Sequence, residues 1–177
     1  AVARAVAPSL PGPAGARVLR TDVLRKRSLG LRLHEAADAD AYAPEQRAGI
    51  YRELTAHATR ALTAGVSVVA DATFGVSTTR DAIASAAGQR FFAFWLDAPV
   101  HVRLERIAHR AGGASDADAA VALKQEEPGD LGAGWKRLDA RRTIGELAAD
   151  IVKEVGDAGD ATRTAGLTPG APRPPRS

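Results

Sequence analysis

Carboxylates follow two apolar segments of this sequence, and arginines come soon after them. Asp22 lies directly after the segment RVLRT, and Asp71 ends the apolar run VSVVA. Arg25 follows Asp22 by about one helical turn, whereas Thr73 and Arg80 follow Asp71. A carboxylate can accept the proton of a hydroxyl group or hold Mg²⁺, and a guanidinium group neutralises phosphate charge in a forked geometry. This combination of residue types predicts phosphoryl-transfer chemistry.

Each aspartate also has an ordinary structural interpretation. An aspartate at the end of a strand often caps the following helix or shapes a turn, and for Asp22 and Asp71 both interpretations stay open. Asp97 and Asp139 end two later apolar segments, and for these two we favour the structural interpretation.

Basic residues and histidines recur with helical spacing after residue 99. Arg106 and Arg110 lie four positions apart, a spacing that a solvated helix face also explains. His101, Glu105 and His109 share a helix face as well, but the zinc motif HExxH is absent, so this spacing does not predict a metal site.

Strand-like and helix-like segments alternate along most of the chain. The predicted strands are 16–21, 66–74, 90–99 and 135–140, and the principal predicted helices are 42–65, 77–88, 99–112, 115–127 and 143–155. Nearly continuous apolar strands alternating with helices predict a three-layer α/β domain with a parallel sheet over residues 1–155. Residues 156–177 are small, polar and rich in Pro and Gly, which predicts a disordered tail.

Composition excludes several classes of protein. The 177 residues contain no cysteine, which excludes disulfides and thiolate metal sites. No apolar run approaches the ~18 residues of a transmembrane helix, and no secretory signal opens the sequence. Arginine outnumbers lysine 20 to 4, so a net charge of only +3 gives an isoelectric point of about 9.7. This near-balanced charge, without a recognised motif, argues against nucleic-acid binding.

Four stretches in order carry a resemblance to a known family. They are RVLRTDVLRKR, GVSVVADATF, FFAFWLDAP with the following VRLERIAHR and ASDADAAV, and GWKRLDA. Over residues 1–155 the sequence resembles the P-loop small-molecule kinases, and within them the gluconate-kinase-like and zeta-toxin-like ATPases. It is similar to the AAA-family kinase domain that bacteria often fuse behind an aminoglycoside-phosphotransferase-like domain.

The resemblance implies roles for the residues that match the family pattern. Asp22 matches the general base that faces the acceptor hydroxyl, and Arg25 and Arg80 match substrate-side arginines. Asp71, with Thr73 nearby, matches the Mg²⁺ and substrate region. The lid arginines that close over the nucleotide phosphates are matched by Arg106 and Arg110. ATP and Mg²⁺ are the implied cofactors, a small hydroxyl-bearing molecule is the implied substrate, and the cytoplasm is the expected location.

One element of the family pattern is missing from these residues. The phosphate loop requires Gly-x-x-x-x-Gly-Lys-Ser/Thr, and none of the four lysines follows a glycine. We therefore expect the fold to lack its first strand and phosphate loop, and the chain as it stands to be inactive. The sequence also opens on Ala1 rather than methionine, so we expect it to be part of a longer protein, with a fused upstream domain as one expectation. The alternative is a degenerate kinase-like module that binds a partner without catalysis.

Overall fold

The computed structural model describes residues 1–109 and 129–165, with side chains through residue 158. Its strands are β1 (Arg17–Arg20), β2 (Val68–Asp71), β3 (Ala93–Asp97) and β4 (Trp135–Asp139). Its helices are α1 (Val2–Val6), α2 (Thr21–Ser28), α3 (Pro44–Thr63), α4 (Ser77–Ala87), α5 (Val100–Ala108) and α6 (Ile144–Ala165). Short 3₁₀ turns cover Ala7–Ser9, Ala39–Tyr42 and Gly88–Arg90. Strands and helices alternate, which confirms the predicted α/β class.

The strands form two separate parallel pairs. β1 pairs with β2, with Arg17 opposite Val68 and Arg20 opposite Asp71. β3 pairs with β4 in the same sense, from Ala93 opposite Trp135 onward. Within the described residues no backbone pairing joins β2 to β3, so the parallel sheet is divided into two halves. The predicted parallel pairing is confirmed.

One apolar cluster fills the space between the strands and helices α3 and α4. Its buried members are Leu19, Leu24, Ile50, Tyr51, Leu54, Ala58, Phe74 and Ile83. Phe74 makes edge-to-face contacts with Tyr51 and Trp135, with ring centroids 5.5 and 5.8 Å apart. Such contacts stabilise aromatic pairs beyond their simple burial. This cluster, called cluster one, contains residues from the middle of α3 and Phe74 from the loop that follows β2.

A second cluster covers the opposite face of the strands. Val6 of α1 and Ala148 and Ile151 of α6 are its buried members. Val69 of β2 and Phe94 of β3 pack against them. Helices α1 and α6 therefore form one continuous layer over both halves of the sheet. The apolar residues of these helices and of the strands beneath them are called cluster two.

The ends of two helices follow from local chemistry. Pro44 occupies the first turn of α3, where its missing N–H costs nothing. At the start of α6 the Thr143 amide donates to the Glu146 carboxylate at 2.9 Å, and the Glu146 amide donates to the Thr143 hydroxyl at 3.2 Å. This reciprocal pair is the predicted capping box.

Helix α6 is longer than predicted. It continues to Ala165, ten residues beyond the expected last residue, Val155. Val155 and Val152 pack into cluster two, which anchors the helix at the point where Gly156 was expected to end it. A glycine inside a helix costs only about 1 kcal/mol, which an anchored helix tolerates. Disorder remains a prediction for 166–177, which lie outside the described residues.

Lysine 26 is buried although it is charged. Only 1% of Lys26 is exposed, and its Nζ donates a hydrogen bond to the Leu33 carbonyl at 3.1 Å. The Leu31 amide donates to the Lys26 carbonyl at 2.8 Å. Lys26 thereby ties the end of α2 to the segment that follows it.

Candidate functional site

Asp22 and Asp71 lie on either side of one arginine. Arg20 ends β1 and is the register partner of Asp71, which ends β2. Arg20 Nη2 lies 2.5 Å from Asp22 Oδ2, and its Nε lies 3.5 Å from Asp71 Oδ2. The carboxyl ends of two neighbouring parallel strands therefore bring the two predicted carboxylates to one place. In parallel α/β sheets this edge is where ligands bind.

Solvent reaches the two carboxylates to different extents. The side chains of Arg20 and Asp22 are 20% and 18% exposed, whereas that of Asp71 is 41% exposed. Asp22 Oδ1 also accepts a hydrogen bond from the Val23 amide at 2.8 Å in the first turn of α2. Asp22 is thus held in place by two contacts, and Asp71 is the more accessible of the two.

Arg25 lies one turn along α2 from Asp22. Its guanidinium carbon is 4.5 Å from the centroid of the Tyr42 ring, a cation–π contact. Among the residues that the structure describes, none forms a hydrogen bond with the buried Arg25 Nε. Residues three apart on a helix lie on neighbouring positions of one face, so the arginine is on the same side of α2 as the aspartate.

The loop after β2 holds Thr73 against α3. The Thr73 hydroxyl is 2.9 Å from the Tyr51 hydroxyl, which also accepts a hydrogen bond from the Phe74 amide at 3.0 Å. Phe74 has a φ of +44°, a conformation that is rare for a bulky residue. Tyr51 therefore supports a strained turn three residues after Asp71.

Arg80 is buried between two loops. Its guanidinium group is buried and donates to four backbone carbonyls. Two acceptors, Phe74 and Gly75, lie in the loop after β2, at 2.9 and 3.2 Å. The other two are Leu131 at 3.1 Å and Asp130 at 3.2 Å, just before β4. Arg80 joins two loops in this structure, and its role in substrate binding stays a prediction.

Arg106 lies at a separate cavity. The cavity has a volume of about 520 Å³ and is lined by Val102, Glu105, Arg106, His109 and Arg141. Arg106 Nη2 donates to the Ala140 carbonyl at 2.6 Å, which holds α5 against the end of β4. Arg106 and Arg141 bring two guanidinium groups to this cavity, and Glu105 brings a carboxylate. Arg110, the second predicted lid arginine, lies outside the described residues.

Asp139 and Arg141 form a tight exposed pair beside that cavity. Arg141 Nε and Nη2 reach the Asp139 carboxylate at 2.9 and 2.7 Å. The hydrogen bonds from the Arg141 side chain and amide lower the pKa of Asp139 to about 2. Asp97 likewise pairs with Arg137 at 3.4 Å. Asp139 thus shapes the turn after β4 through the Arg141 amide, whereas Asp97 makes an ion pair with the neighbouring strand.

A metal-binding role for Asp71 stays a prediction. Among residues 1–109 and 129–165 no group of three or more acidic, histidine or cysteine side chains is placed to hold a metal ion. Asp71 and Asp22 supply carboxylate oxygens, the donor type that Mg²⁺ prefers, and Mg²⁺ commonly takes only one or two of them from a protein.

Two residues of the site were missed at the sequence level. Arg20 is the last residue of β1 and immediately precedes Thr21 and Asp22. Its place at the end of a strand that runs parallel to the one ending at Asp71 was the available signal. Arg141 follows Asp139 by two positions, which is the corresponding signal at the cavity.

Comparison with known proteins agrees with this architecture. The sequence profile described as an AAA domain matches residues 3–127, more than half of the chain. The chain belongs to this AAA domain family. A gluconokinase from Sinorhizobium meliloti 1021 has a similar structure, with a TM-score of 0.59 and 17% sequence identity. The similarity covers 93% of this chain and 88% of the gluconokinase. No curated protein matches the chain.

For this AAA domain protein, the structural likeness establishes the P-loop kinase-like fold. The carboxyl ends of β1 and β2 bring together Arg20, Asp22 and Asp71, with Thr73 in the adjoining loop. Arg80 and Arg106 make their contacts elsewhere. No helix in the described part of the AAA domain protein is long and apolar enough to cross a membrane.

Proposed function

We propose that this AAA domain chain forms the greater part of an ATP-dependent phosphotransferase domain that transfers the γ-phosphoryl group to a small hydroxyl-bearing substrate. The observation that supports the proposal is the placement of Asp22 and Asp71 around Arg20, at the carboxyl ends of β1 and β2. Two carboxylates with an arginine between them suit a reaction in which one accepts a proton and the other faces a cation.

The proposal gives each nearby residue one task. Asp22 would accept the hydroxyl proton of the substrate, and ATP, when bound, would supply the γ-phosphoryl group with ADP as the leaving group. Arg25 binds the substrate from the next turn of α2, and Thr73 and Arg80 are proposed as further substrate-binding residues. Arg20 holds the two carboxylates at a fixed separation and offsets their repulsion.

The chain offers residues for the implied cofactors. Asp71 would hold Mg²⁺, because its carboxylate is accessible and of the right donor type. Arg106 would contact the phosphates of ATP from the cavity beside α5, and Arg110 is proposed for the same task. When bound, Mg²⁺ and ATP supply the phosphoryl group and neutralise the charge that develops on it.

We further propose that the 177 residues alone have little or no turnover. They contain no Gly-Lys pair, and the amides and lysine of a phosphate loop supply much of the contact with a triphosphate. A cytoplasmic location and a fused phosphotransferase-like domain are proposals from the sequence resemblance.

A second candidate is a kinase-like module that binds a partner without catalysis. The engagement of both carboxylates by Arg20 favours it. In that case the ion-pair cluster stabilises the fold and transfers no proton.

Phosphoryl transfer from labelled ATP to a panel of small polyols and sugar acids tests the proposal. The protein for this test carries a strand and a Gly-x-x-x-x-Gly-Lys-Ser loop ahead of Ala1. We expect transfer, and we expect Asp22→Asn to reduce it about 100-fold or more, as removal of a general base does. Asp81→Asn, on the exposed side of α4, is the matched control and keeps the parent rate. Equal rates for Asp22→Asn and the parent, or no transfer to any acceptor, would favour the binding module.

A further inference from the structure

Arg20 contacts Asp22 and Asp71 in two different ways. Its Nη2 donates a charge-assisted hydrogen bond to Asp22 Oδ2 at 2.5 Å. Its Nε lies 3.5 Å from Asp71 Oδ2, within the distance of an ion pair. Within the part of the chain that the structure describes, that buried Nε forms no hydrogen bond. The contact with Asp22 is therefore a directed bond, whereas the contact with Asp71 is a looser attraction between charges.

The two carboxylates also differ in how easily a cation from solvent can reach them. Asp22 Oδ1 accepts a hydrogen bond from the Val23 amide at 2.8 Å, so each oxygen of Asp22 already has a donor. The side chain of Asp22 is mostly buried, whereas that of Asp71 is more exposed. A divalent cation would therefore meet Asp71 first.

The guanidinium group of Arg20 lies between the two carboxylates, where a cation shared by them would bind. Mg²⁺ prefers carboxylate oxygens and commonly takes one or two of them from a protein. A bare divalent cation at Asp71 would come close to the guanidinium group, and two positive charges at short distance repel each other. The cation would also compete with Arg20 for Asp71 Oδ2.

This repulsion acts in a partly buried environment. The side chains of Arg20 and Asp22 are both mostly buried, and charges in such places interact more strongly and are screened less by salt than charges in water. Arg20 cannot relieve the repulsion by losing its proton, because a guanidinium group stays charged at any ordinary pH. The end of β1 therefore carries a permanent positive charge beside Asp71.

We infer that Arg20 is a built-in counter-ion that keeps free divalent cations off the Asp22–Asp71 pair. The inference rests on the proposed function in one respect, the assignment of Asp71 as a cation ligand. Under that function the cation arrives with ATP, and a complex of a divalent cation with a triphosphate has a net negative charge that Arg20 does not repel. Arg20 thus favours a cation that a triphosphate accompanies over the same cation alone.

Binding of Mn²⁺ to the full 177-residue chain tests the inference without ATP or turnover. Mn²⁺ is the probe because its electron paramagnetic resonance signal measures the free ion, and the bound ion broadens NMR signals of nearby amides. Arg20→Gln removes the charge, Arg20→Lys keeps it, and Asp71→Asn in the Arg20→Gln background removes the ligand. Arg17→Gln, at the exposed start of β1, is the matched control. Addition of Mg²⁺ then shows whether it competes with Mn²⁺.

We expect Arg20→Gln to bind Mn²⁺ about tenfold more tightly than the parent, because the charge that is removed lies close to the cation. The broadened amides should belong to the last residues of β1 and β2, and Mg²⁺ should reverse the broadening. Arg20→Lys and Arg17→Gln should keep the affinity of the parent. Asp71→Asn should abolish the gain of Arg20→Gln.

Equal affinities of the parent and Arg20→Gln would overturn the inference. So would a gain of equal size in Arg20→Lys or Arg17→Gln, or a gain that survives Asp71→Asn, because the cation would then lie elsewhere. Slow hydrogen exchange in α3 shows that a variant is folded, and Arg20→Met is a second neutral variant in case Arg20→Gln is not.

The outcome for Arg20 is separable from the outcome for the proposed function. A gain in Mn²⁺ affinity together with no phosphoryl transfer in the protein that carries a phosphate loop would reject the proposed function and support the counter-ion. Transfer together with no gain would support the proposed function and reject the counter-ion.

Discussion

Arg20 and Asp71 face each other in the parallel register of β1 and β2, and an ion pair of 3.5 Å joins their side chains. The same guanidinium group contacts Asp22 in the first turn of α2. One arginine at the end of an edge strand therefore fixes the relative position of two carboxylates that the sequence separates by 49 positions. The candidate site depends on this contact.

Arg20→Gln tests the contribution of this arginine. We expect the free energy of unfolding to fall by about 1 kcal/mol, near the upper limit for a partly exposed ion pair. Arg17→Gln, at the exposed start of the same strand, is the control, with a change of less than about 0.5 kcal/mol. Urea unfolding at low and high salt gives both values, and the difference between the variants should shrink at high salt. Equal losses in the two variants would contradict a specific role for Arg20.

Tyr51→Phe tests the support of the strained turn at Phe74. The change leaves the ring contacts in place and removes the acceptor of the Phe74 amide, so we expect a loss of about 1–2 kcal/mol in unfolding free energy. Faster exchange of that amide should accompany the loss. Thr73→Ala removes only the exposed hydroxyl partner of Tyr51, and its effect should be smaller. If Tyr51→Phe left the free energy of unfolding unchanged, the turn would not depend on the hydroxyl group.

Arg80→Lys separates charge from geometry at the junction of the two loops. Lysine keeps the charge but lacks the planar fork that reaches four carbonyls, so we expect a loss of about 3 kcal/mol. Arg90→Lys, in the exposed turn before β3, is the control and should be nearly neutral. Thermal or urea unfolding measures both. If Arg80→Lys is as stable as the parent but binds a substrate less tightly, the predicted substrate role is favoured over the structural one.

Asp139 should titrate at unusually low pH. Its pKa in the folded protein is about 2, against 3.8 ordinarily, because Arg141 donates hydrogen bonds to the ionised form. A carboxyl group whose pKa falls on folding stabilises the fold above its ordinary pKa, and this contribution is lost as the pH falls from 3.8 toward 2. The carboxyl resonance of Asp139, followed by NMR, gives the midpoint directly. Arg141→Gln should move that midpoint back toward 3.8, and an unchanged midpoint would exclude Arg141 as the cause.

Helix boundaries followed closely from local signals. Pro44 and Gly65 bracket α3, and the Thr143–Glu146 capping box starts α6 where the sequence predicted. The predicted end of α6 was wrong, because the packing of Val152 and Val155 in cluster two outweighs the tendency of Gly156 to end a helix.

The predicted strands were longer than those observed. Phe74 and Phe91 belong to the apolar runs, but they pack in cluster one from outside β2 and β3. An apolar run reports burial, whereas a strand also requires a partner in register. The sequence alone therefore located the strands without fixing their ends.

Within the candidate site, the meeting of Asp22 and Asp71 was predictable because both end parallel strands. The environment of Arg80 was not, since its partners are carbonyl oxygens, which every residue carries and no sequence pattern marks. The one feature that could have marked Arg20 as a site residue is its position opposite Asp71 in the parallel strand pair.

Lys26 makes the chain suited to chemical labelling. Its amine is buried and hydrogen-bonded to the Leu33 carbonyl, whereas Lys136 and Lys153 are exposed. An amine-reactive reagent should modify the two exposed lysines within its normal reaction time and Lys26 only when the end of α2 opens. With so few lysines in the chain, mass spectrometry of the labelled peptides would follow that opening at a single residue, beside the arginine and aspartate of α2 that the proposed reaction uses.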